Sequence, residues 1–135
     1  MKVERFEYLR CWQAARHLVK MAFVVSKSGE IAKDFDTRNQ FRQAALGTMN
    51  NIAEGFGRFG PKDFIRFLDI SQSSALEVQS MLYVFSDLNY LEIEKINEMR
   101  LKSEEARNQT LALIRYLRSP LTKKPKNKTF NNGSK

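Results

Sequence analysis

Only one cysteine and one histidine occur in the 135 residues, and this scarcity excludes several classes of protein. A single cysteine cannot form an internal disulfide, and one cysteine with one histidine cannot supply the ligands of an ordinary zinc site within the chain. Proline and glycine are also few, with three and six residues. We therefore expect no metal and no cofactor, and a single domain whose fold rests on side-chain packing.

Long hydrophobic runs are lacking as well. The longest uninterrupted apolar run, residues 21–25, is far shorter than the roughly 20 residues that a membrane-spanning helix needs. The first residues also lack the basic segment, apolar stretch and small-residue cleavage site of a secretory signal. We expect a cytoplasmic protein with no membrane segment.

Positive charge is plentiful but unevenly distributed. The formal net charge is +8, and residues 115–135 contain seven lysines or arginines and no acid. Residues 1–114 are therefore almost neutral at +1, with +5 in residues 1–66 and −4 in residues 67–114. A cationic field concentrated at one end of the chain predicts a polyanionic partner.

Four amphipathic helices are predicted before residue 119, because apolar residues recur at spacings of three and four. The predicted segments are about 7–27, a second helix capped by Asp34 or Asp36 that continues to about 54, 62–88 and 93–117. In the last two helices we call the stripe that is predicted to face the core the seam. The seam of the third helix is Phe64, Leu68, Ser71, Ala75, Val78, Leu82 and Phe85. The seam of the fourth helix is Ile96, Met99, Ser103, Ala106, Thr110, Leu113 and Leu117. Short connections predict an all-α, antiparallel up-down four-helix bundle over residues 1–118. Residues 119–135 are mostly polar, and we expect a flexible basic tail.

A glycine-rich turn joins the second and third helices, and its spacing is that of a phosphate loop. Gly55, Gly57 and Gly60 match G-x-G-x-x-G, but a phosphate site of that kind needs a strand before the glycines. A helical apolar pattern precedes them instead. Pro61 then stands where the first turn of a helix tolerates proline. We interpret the segment as the turn of a helical hairpin.

The same turn carries a family resemblance. N-I-A-E-G, with Asn51, Glu54 and Gly55, is followed by G-R at Arg58 and by F-I-R-F-L from residue 64. This pattern resembles the four-helix-bundle proteins encoded in intervening sequences of large-subunit (23S) ribosomal RNA, and the likeness covers roughly residues 6–118. Accessory variability proteins of diversity-generating retroelements are similar in fold. The resemblance implies a basic homopentameric ring that binds nucleic acid and, in the retroelement branch, a reverse transcriptase. It implies no enzymatic activity.

The clearest functional pattern is a line of arginines on one side of the fourth helix, about 27 Å long at 1.5 Å per residue. A track of this kind is predicted to follow phosphates, since each neutralised phosphate releases counterions. It consists of Arg100, Arg107, Arg115 and Arg118, and it leads into Lys123, Lys124, Lys126 and Lys128.

Two smaller basic groups are further candidates for phosphate contacts. Arg38 and Arg42 are one turn apart at the edge of the apolar arc of the second helix, where arginines also commonly lie over hydrophobic neighbours. Arg58, Lys62 and Arg66 surround the glycine turn. No recognition helix, zinc finger or aromatic RNA-binding motif is present, so we predict binding that tolerates many sequences.

Glu54 and Arg58 have two interpretations. They are four residues apart, so a structural pair can form if the helix extends that far, and the arginine would then compensate a carboxylate near the C-terminal end of a helix. Alternatively, Glu54 or Glu77 orients Arg58 for a phosphate contact. The sequence leaves both interpretations open.

Additional apolar residues beside the core seams predict contacts between subunits, because a single bundle buries one stripe per helix. The alternative is a wide monomeric core with a few exposed apolar side chains. The residues concerned are Ile65, Leu76 and Tyr83 on the third helix, and Leu46 and Met49 on the second.

No catalytic group assembles from the pattern. Cys11 and His17 are six residues apart on one helix and point in different directions, so they form no dyad, and Cys11 is best interpreted as a small buried hydrophobe. We predict a non-enzymatic, oligomeric protein that binds RNA or DNA. The alternative is an adaptor that docks an acidic protein, such as a reverse transcriptase, through the same basic face.

Overall fold

The computed structural model describes residues 3–119, and within this range it is all-helical with no β-strand. A short 3-10 turn, Phe6–Tyr8, precedes the α-helices. These are α1 Arg10–Val25, α2 Gly29–Lys33, α3 Phe35–Phe56, α4 Pro61–Asp87 and α5 Ile93–Arg118. Both α3 and α5 pack against α1 and α4, so the four long helices form a bundle. The predicted tail lies outside the described residues, except for Ser119.

The ends of the long helices follow local sequence signals. Asp34 caps α3, since its Oδ1 accepts a hydrogen bond from the backbone N–H of Thr37 at 3.3 Å. Pro61 is the first residue of α4, where its missing N–H costs nothing. The prediction that the first helix begins near residue 7 and continues to about residue 27 was too long, because a 3-10 turn precedes Arg10 and the helix ends at Val25.

The sequence did not predict α2, which lies where a turn was expected. Gly29 begins it with φ +71°, a conformation that glycine adopts readily. Ile31 in the middle of this helix is only 1% exposed and joins the core. A five-residue helix has little intrinsic stability, so the burial of Ile31 accounts for it.

The core consists of two hydrophobic clusters at opposite ends of the bundle. One, the Phe41 cluster, contains Phe41, Phe85 and Met99, with the two phenylalanine rings edge to face at 4.8 Å. The other, the Phe64 cluster, contains Phe64, Leu68 and Leu117. All fourteen predicted seam residues of α4 and α5 are buried, so that prediction is confirmed.

Small polar side chains lie between these clusters along the helices. Ser71 Oγ on α4 donates to the carbonyl oxygen of Thr48 on α3 at 2.6 Å, and Ser103 Oγ on α5 donates to that of Ala75 at 3.0 Å. Both serines are buried, and the bonds satisfy hydroxyls that would otherwise be costly to bury. The middle of the bundle is therefore held by hydrogen bonds between helices as well as by packing.

The turn between α3 and α4 explains the glycine of the N-I-A-E-G motif. A Cβ atom at Gly55 would lie 2.6 Å from Phe67 Cβ and 3.0 Å from Phe64 Cδ1. Gly55 is buried, so any larger residue would force α3 and α4 apart. Because a helix rather than a strand precedes the glycines, the interpretation as a helical turn is confirmed.

Candidate nucleic-acid interface

The arginine line of α5 divides into two parts. Arg100 Nη1 lies 3.1 Å from Glu104 Oε2, one turn along the same helix, in an ion pair that is half exposed. Arg107 Nε donates to Gln72 Oε1 on α4 at 2.9 Å. The first half of the line is thus engaged within the protein, because Glu104 lies on the arginine side of α5.

The second half of the arginine line, Arg115 and Arg118, is not engaged by acids of the described residues. Arg115 and Arg118 are exposed, and neither forms an ion pair with another residue in the range 3–119. No acid follows Glu105 in the sequence. These two arginines are therefore available to an external anion. Their predicted continuation through the tail lysines lies outside the described residues.

Arg38 and Arg42 contact rings and hydrogen-bond acceptors of their own chain. The Arg42 guanidinium lies 4.6 Å from the centre of the Phe23 ring, and its Nε donates to Ser26 Oγ at 2.7 Å. Arg38 lies 4.8 Å from the Phe35 ring and donates to the carbonyl oxygen of Ala32. Both fit the hydrophobic-cover interpretation, in which the arginine stem and guanidinium stabilise the surface.

The patch at the glycine turn is built around Phe67. The guanidinium groups of Arg58 and Arg66 lie 4.8 and 4.5 Å from the centre of this ring, which is 7% exposed. Arg58 also pairs with Glu54 at 3.2 Å, and Arg66 with Asp63 at 3.0 Å. The structural interpretation of Glu54 and Arg58 is thus realised, although both charges remain about half exposed.

The remaining residues of the motif have structural contacts. Asn51 Nδ2 donates to the carbonyl oxygen of Gly47 at 2.8 Å within α3. Glu77 Oε2 accepts a bond of 3.4 Å from Gln40 Nε2 on α3, so it does not orient Arg58 through the contacts that the structure shows. Lys62 is exposed and forms no ion pair with another described residue.

The largest group of uncompensated cations is on α1, which the sequence analysis did not select as a site. Arg10, Arg16 and Lys20 are exposed, as is His17, and none of the three cations has an ion-pair partner within residues 3–119. Arg16 lies over the Trp12 ring at 5.6 Å from its centre, a longer contact than those of Arg38 and Arg42. The helix contains no acidic residue over its whole length. The sequence does indicate this face, because residues 10–25 contain no aspartate or glutamate, but it does so through an absence and not through a line of arginines.

A polar groove lies between this face and α5. It has a volume of about 350 Å³, and Arg10, Gln13 and His17 of α1 face Lys102, Glu105 and Gln109 of α5 across it. The only carboxylate among these six side chains is that of Glu105, which pairs with Lys102 at 2.9 Å. The groove therefore presents cations and amide groups, which are donors for an anionic ligand.

The predicted subunit contacts fall into two sets. Ile65 and Met49 pack against the Phe64 cluster of their own chain, and Leu46 is half buried. Leu76 and Tyr83 are 44% and 68% exposed, which leaves them free for a second subunit. Tyr83 also lines a cavity of about 150 Å³ between α4 and α5 together with Arg100. The exposed part of the predicted interface thus adjoins the engaged half of the arginine line.

No reactive cluster accompanies these surfaces. Burial raises the pKa of the Cys11 thiol to about 12, so it is uncharged at neutral pH, as expected of a buried hydrophobe. Within residues 3–119 no three His, Cys, Asp or Glu side chains are placed to hold a metal ion. None of the described helices is both long and apolar enough to cross a membrane.

Comparison with known proteins agrees with this architecture. A family model described as 23S rRNA-intervening sequence protein matches residues 7–112. A crystal structure of a protein with unknown function from the S23 ribosomal protein family of Bacteroides thetaiotaomicron VPI-5482 is similar, with a TM-score of 0.65 and 20% identity. The match covers 77% of this chain and 94% of that chain, and at this identity it shows the fold alone. No curated protein matches the chain.

The matched region extends from the 3-10 turn to α5, and it includes both the basic face of α1 and the turn with its N-I-A-E-G motif. It contains the Phe41 cluster and most of the Phe64 cluster. The chain belongs to the 23S rRNA-intervening sequence protein family.

Proposed function

We propose that this protein is a non-enzymatic, oligomeric nucleic-acid-binding protein that contacts the phosphates of RNA or DNA with little sequence specificity. The observation that carries the proposal is the outer face of α1, where Arg10, Arg16 and Lys20 are exposed on a helix without a single acid. Cations without an ion-pair partner can exchange their counterions for phosphates, which is the main source of such affinity.

The position of α1 beside α5 supports the proposal. The groove between them offers Arg10 as an unpaired cation and two glutamine amides as hydrogen-bond donors, while Lys102 pairs with Glu105. Arg115 and Arg118 add charge on the last turns of α5. A phosphate chain that enters this region meets donors from two helices, and binding of this kind reads charge rather than bases.

The family and the bundle support the remaining parts of the proposal. The family's name refers to intervening sequences of 23S rRNA, so structured RNA is the first ligand to test. Contacts between α3 and α4 pair Gly55 with Phe67 and Gly47 with Ser74, an opposite order that supports the up-down antiparallel arrangement. The exposed Leu76 and Tyr83 support a homo-oligomer, which we propose to be the pentamer that the resemblance implies.

The salt dependence of binding tests this function. Fluorescence anisotropy with RNA and DNA duplexes of equal length is measured between 50 and 200 mM salt. If Arg10, Arg16, Lys20, Arg115 and Arg118 each meet a phosphate, the log-log slope on DNA is about −4.5 or steeper. If the five lysines of residues 119–135 also bind phosphates, the slope of the full chain is steeper still. Deletion of these residues should then flatten it by roughly 3.5 to 4.5.

Two results would contradict the proposal. One is an affinity that does not change with salt, since it would mean that phosphate contacts supply none of it. The other is capture of an acidic protein, such as a reverse transcriptase, that survives nuclease treatment while duplexes bind weakly or not at all. That result would assign the basic face to an adaptor.

A further inference from the structure

The turn between α3 and α4 exposes an aromatic ring completely. Phe59 lies in the four-residue connection between Phe56 and Pro61, and its side chain is 100% exposed. Gly57 precedes the Arg58–Phe59 pair and Gly60, with φ +78°, follows it. The ring therefore projects from the end of the bundle with both faces free.

Three basic residues lie close to this ring in the sequence. Arg58 is its neighbour in sequence, Lys62 is on the first turn of α4, and Arg66 is one turn farther along. The guanidinium groups of Arg58 and Arg66 both stack on the Phe67 ring at this end of the molecule. The pairs with Glu54 and Asp63 leave both guanidinium groups partly exposed, at 44% and 59% of the side-chain surface.

We propose that Phe59 is a stacking platform for an unpaired base of single-stranded nucleic acid, an inference that rests on the proposed function. An aromatic ring with a free face stacks on any base, while neighbouring cations contact the flanking phosphates. In a duplex both faces of each base are already covered by its neighbours, so the platform selects single-stranded segments or loops.

The chemistry of the turn favours this occupant over an apolar one. A hydrophobic partner that covered Phe59 would also cover Arg58 and Lys62 and would have to desolvate their charges. A nucleotide satisfies both requirements, since its base covers the ring and its phosphate faces the cations. Phe59 is also far from the exposed hydrophobic residues Leu76 and Tyr83, which lie about four and six turns along α4 from Pro61.

The test compares two variants at Phe59 on two ligands. Anisotropy is measured with a labelled 20-nucleotide oligouridine and with an RNA duplex of the same length. Phe59→Leu removes the ring from a fully exposed position, so the fold is retained. It should weaken binding of the single strand roughly 5- to 100-fold and change duplex binding less than about twofold. Phe59→Tyr keeps a ring and should bind as the wild type does.

Phe35→Leu is the matched control. Phe35 is 63% exposed at the other end of α3, and it also has an arginine, Arg38, at 4.8 Å from its ring. Removing it should leave both affinities unchanged, because the proposal assigns it no base.

The outcomes separate this inference from the proposed function. If the wild type binds both ligands with steep salt dependence but Phe59→Leu binds the single strand equally well, the stacking platform is excluded and the proposed function stands. Equal losses on both ligands, or a change of oligomeric state in sedimentation of Phe59→Leu, also overturn the platform. If the wild type binds neither ligand, both proposals fail.

Discussion

Helices α1 and α5 lie side by side, and both carry arginines on their outer surface, yet their charges are used differently. In α5, three of the six basic residues are compensated by an acid within about one turn, in the pairs Lys95–Glu98, Arg100–Glu104 and Lys102–Glu105. In α1 no acid is present, and Arg10, Arg16 and Lys20 have no ion-pair partner among residues 3–119. The comparison shows that the acids within one turn of a cation, rather than the alignment of cations alone, decide which charges remain for a ligand.

The largest expected effect is the difference between neutralising α1 and neutralising the paired half of α5. Replacing Arg10, Arg16 and Lys20 by glutamine removes three cations that have no ion-pair partner among residues 3–119. The log-log slope of duplex DNA binding should flatten by about 2.7, so the wild type should lose about 40-fold more affinity than the variant between 50 and 200 mM salt.

The control for this experiment is the triple replacement of Lys95, Arg100 and Lys102 by glutamine. These cations pair with Glu98, Glu104 and Glu105, and their removal changes the formal charge equally. We expect the slope to change by less than about 1, because paired cations make few phosphate contacts. Equal slopes for the two triple variants would mean that only net charge matters and would break the comparison.

The comparison of α1 with α5 also depends on the packing of the bundle that carries both helices. Gly55→Ala inserts a methyl group 2.6 Å from Phe67 Cβ, and overpacking of this kind costs about 1 to 3 kcal/mol of unfolding free energy. The expected result is a lower urea midpoint, with the affinity of the folded fraction retained.

Gly57→Ala is its matched control, since its nearest contact would be 3.6 Å from a carbonyl oxygen and its φ of −79° suits alanine. A midpoint for Gly55→Ala equal to that of Gly57→Ala would show that close approach of α3 and α4 does not need the glycine.

A smaller effect is expected from releasing a single cation of α5. Glu104→Gln removes the carboxylate that lies 3.1 Å from Arg100. The freed guanidinium should make the log-log slope steeper by about 0.9, so the loss of affinity between 50 and 200 mM salt should be about threefold larger than in the wild type. Glu94→Gln is a suitable control because Glu94 forms no ion pair with another described residue. The same increase in both variants would assign the effect to net charge.

The smallest effect concerns a carboxylate that is compensated by neutral donors instead of a cation. The hydroxyl of Tyr90 donates to Asp34 Oδ2 at 3.0 Å and, together with the cap bond from Thr37, holds the pKa of Asp34 below its ordinary value. Because the pKa is lowered in the folded state, this stabilisation is present at neutral pH and is lost as pH falls through the lowered pKa.

Tyr90→Phe should therefore have a slightly lower urea midpoint than the wild type at neutral pH, and the gap should close in acid. Tyr83→Phe removes an exposed hydroxyl for which the structure shows no such bond, and it serves as the control. A gap that persists unchanged in acid would assign the effect to packing of Tyr90 rather than to the Asp34 carboxylate.

Particular residues show how far the sequence alone leads. The alternating three and four spacing identified fourteen buried residues of α4 and α5, because a helix that buries one face must repeat its apolar residues at that period, but it did not select Phe67, Met81 or Ile114. The helix before Gly55 likewise excluded a phosphate loop without any coordinates. By contrast, nothing local predicts α2, whose stability depends on where the core places Ile31.

The candidate site was less accessible to sequence reasoning. A helical wheel places Arg100, Arg107, Arg115 and Arg118 on one side, but it does not show that Gln72 of another helix accepts a bond from Arg107. Nor does it show that Arg42 is held over Phe23. Such partners come from other helices or from rotamers that packing selects, so they are invisible to a one-dimensional pattern.

The sequence by itself determined the four long helices, most of their buried faces and the total charge, because these depend on the order of residues within a few turns. Only the tertiary structure decided which cations are engaged by other helices, as Arg107 is by Gln72, since the electrostatics of an arginine depend on every polar group and ring within a few ångströms. The same physical reason accounts for Gly55, whose small size matters only once Phe64 and Phe67 of α4 are packed against it.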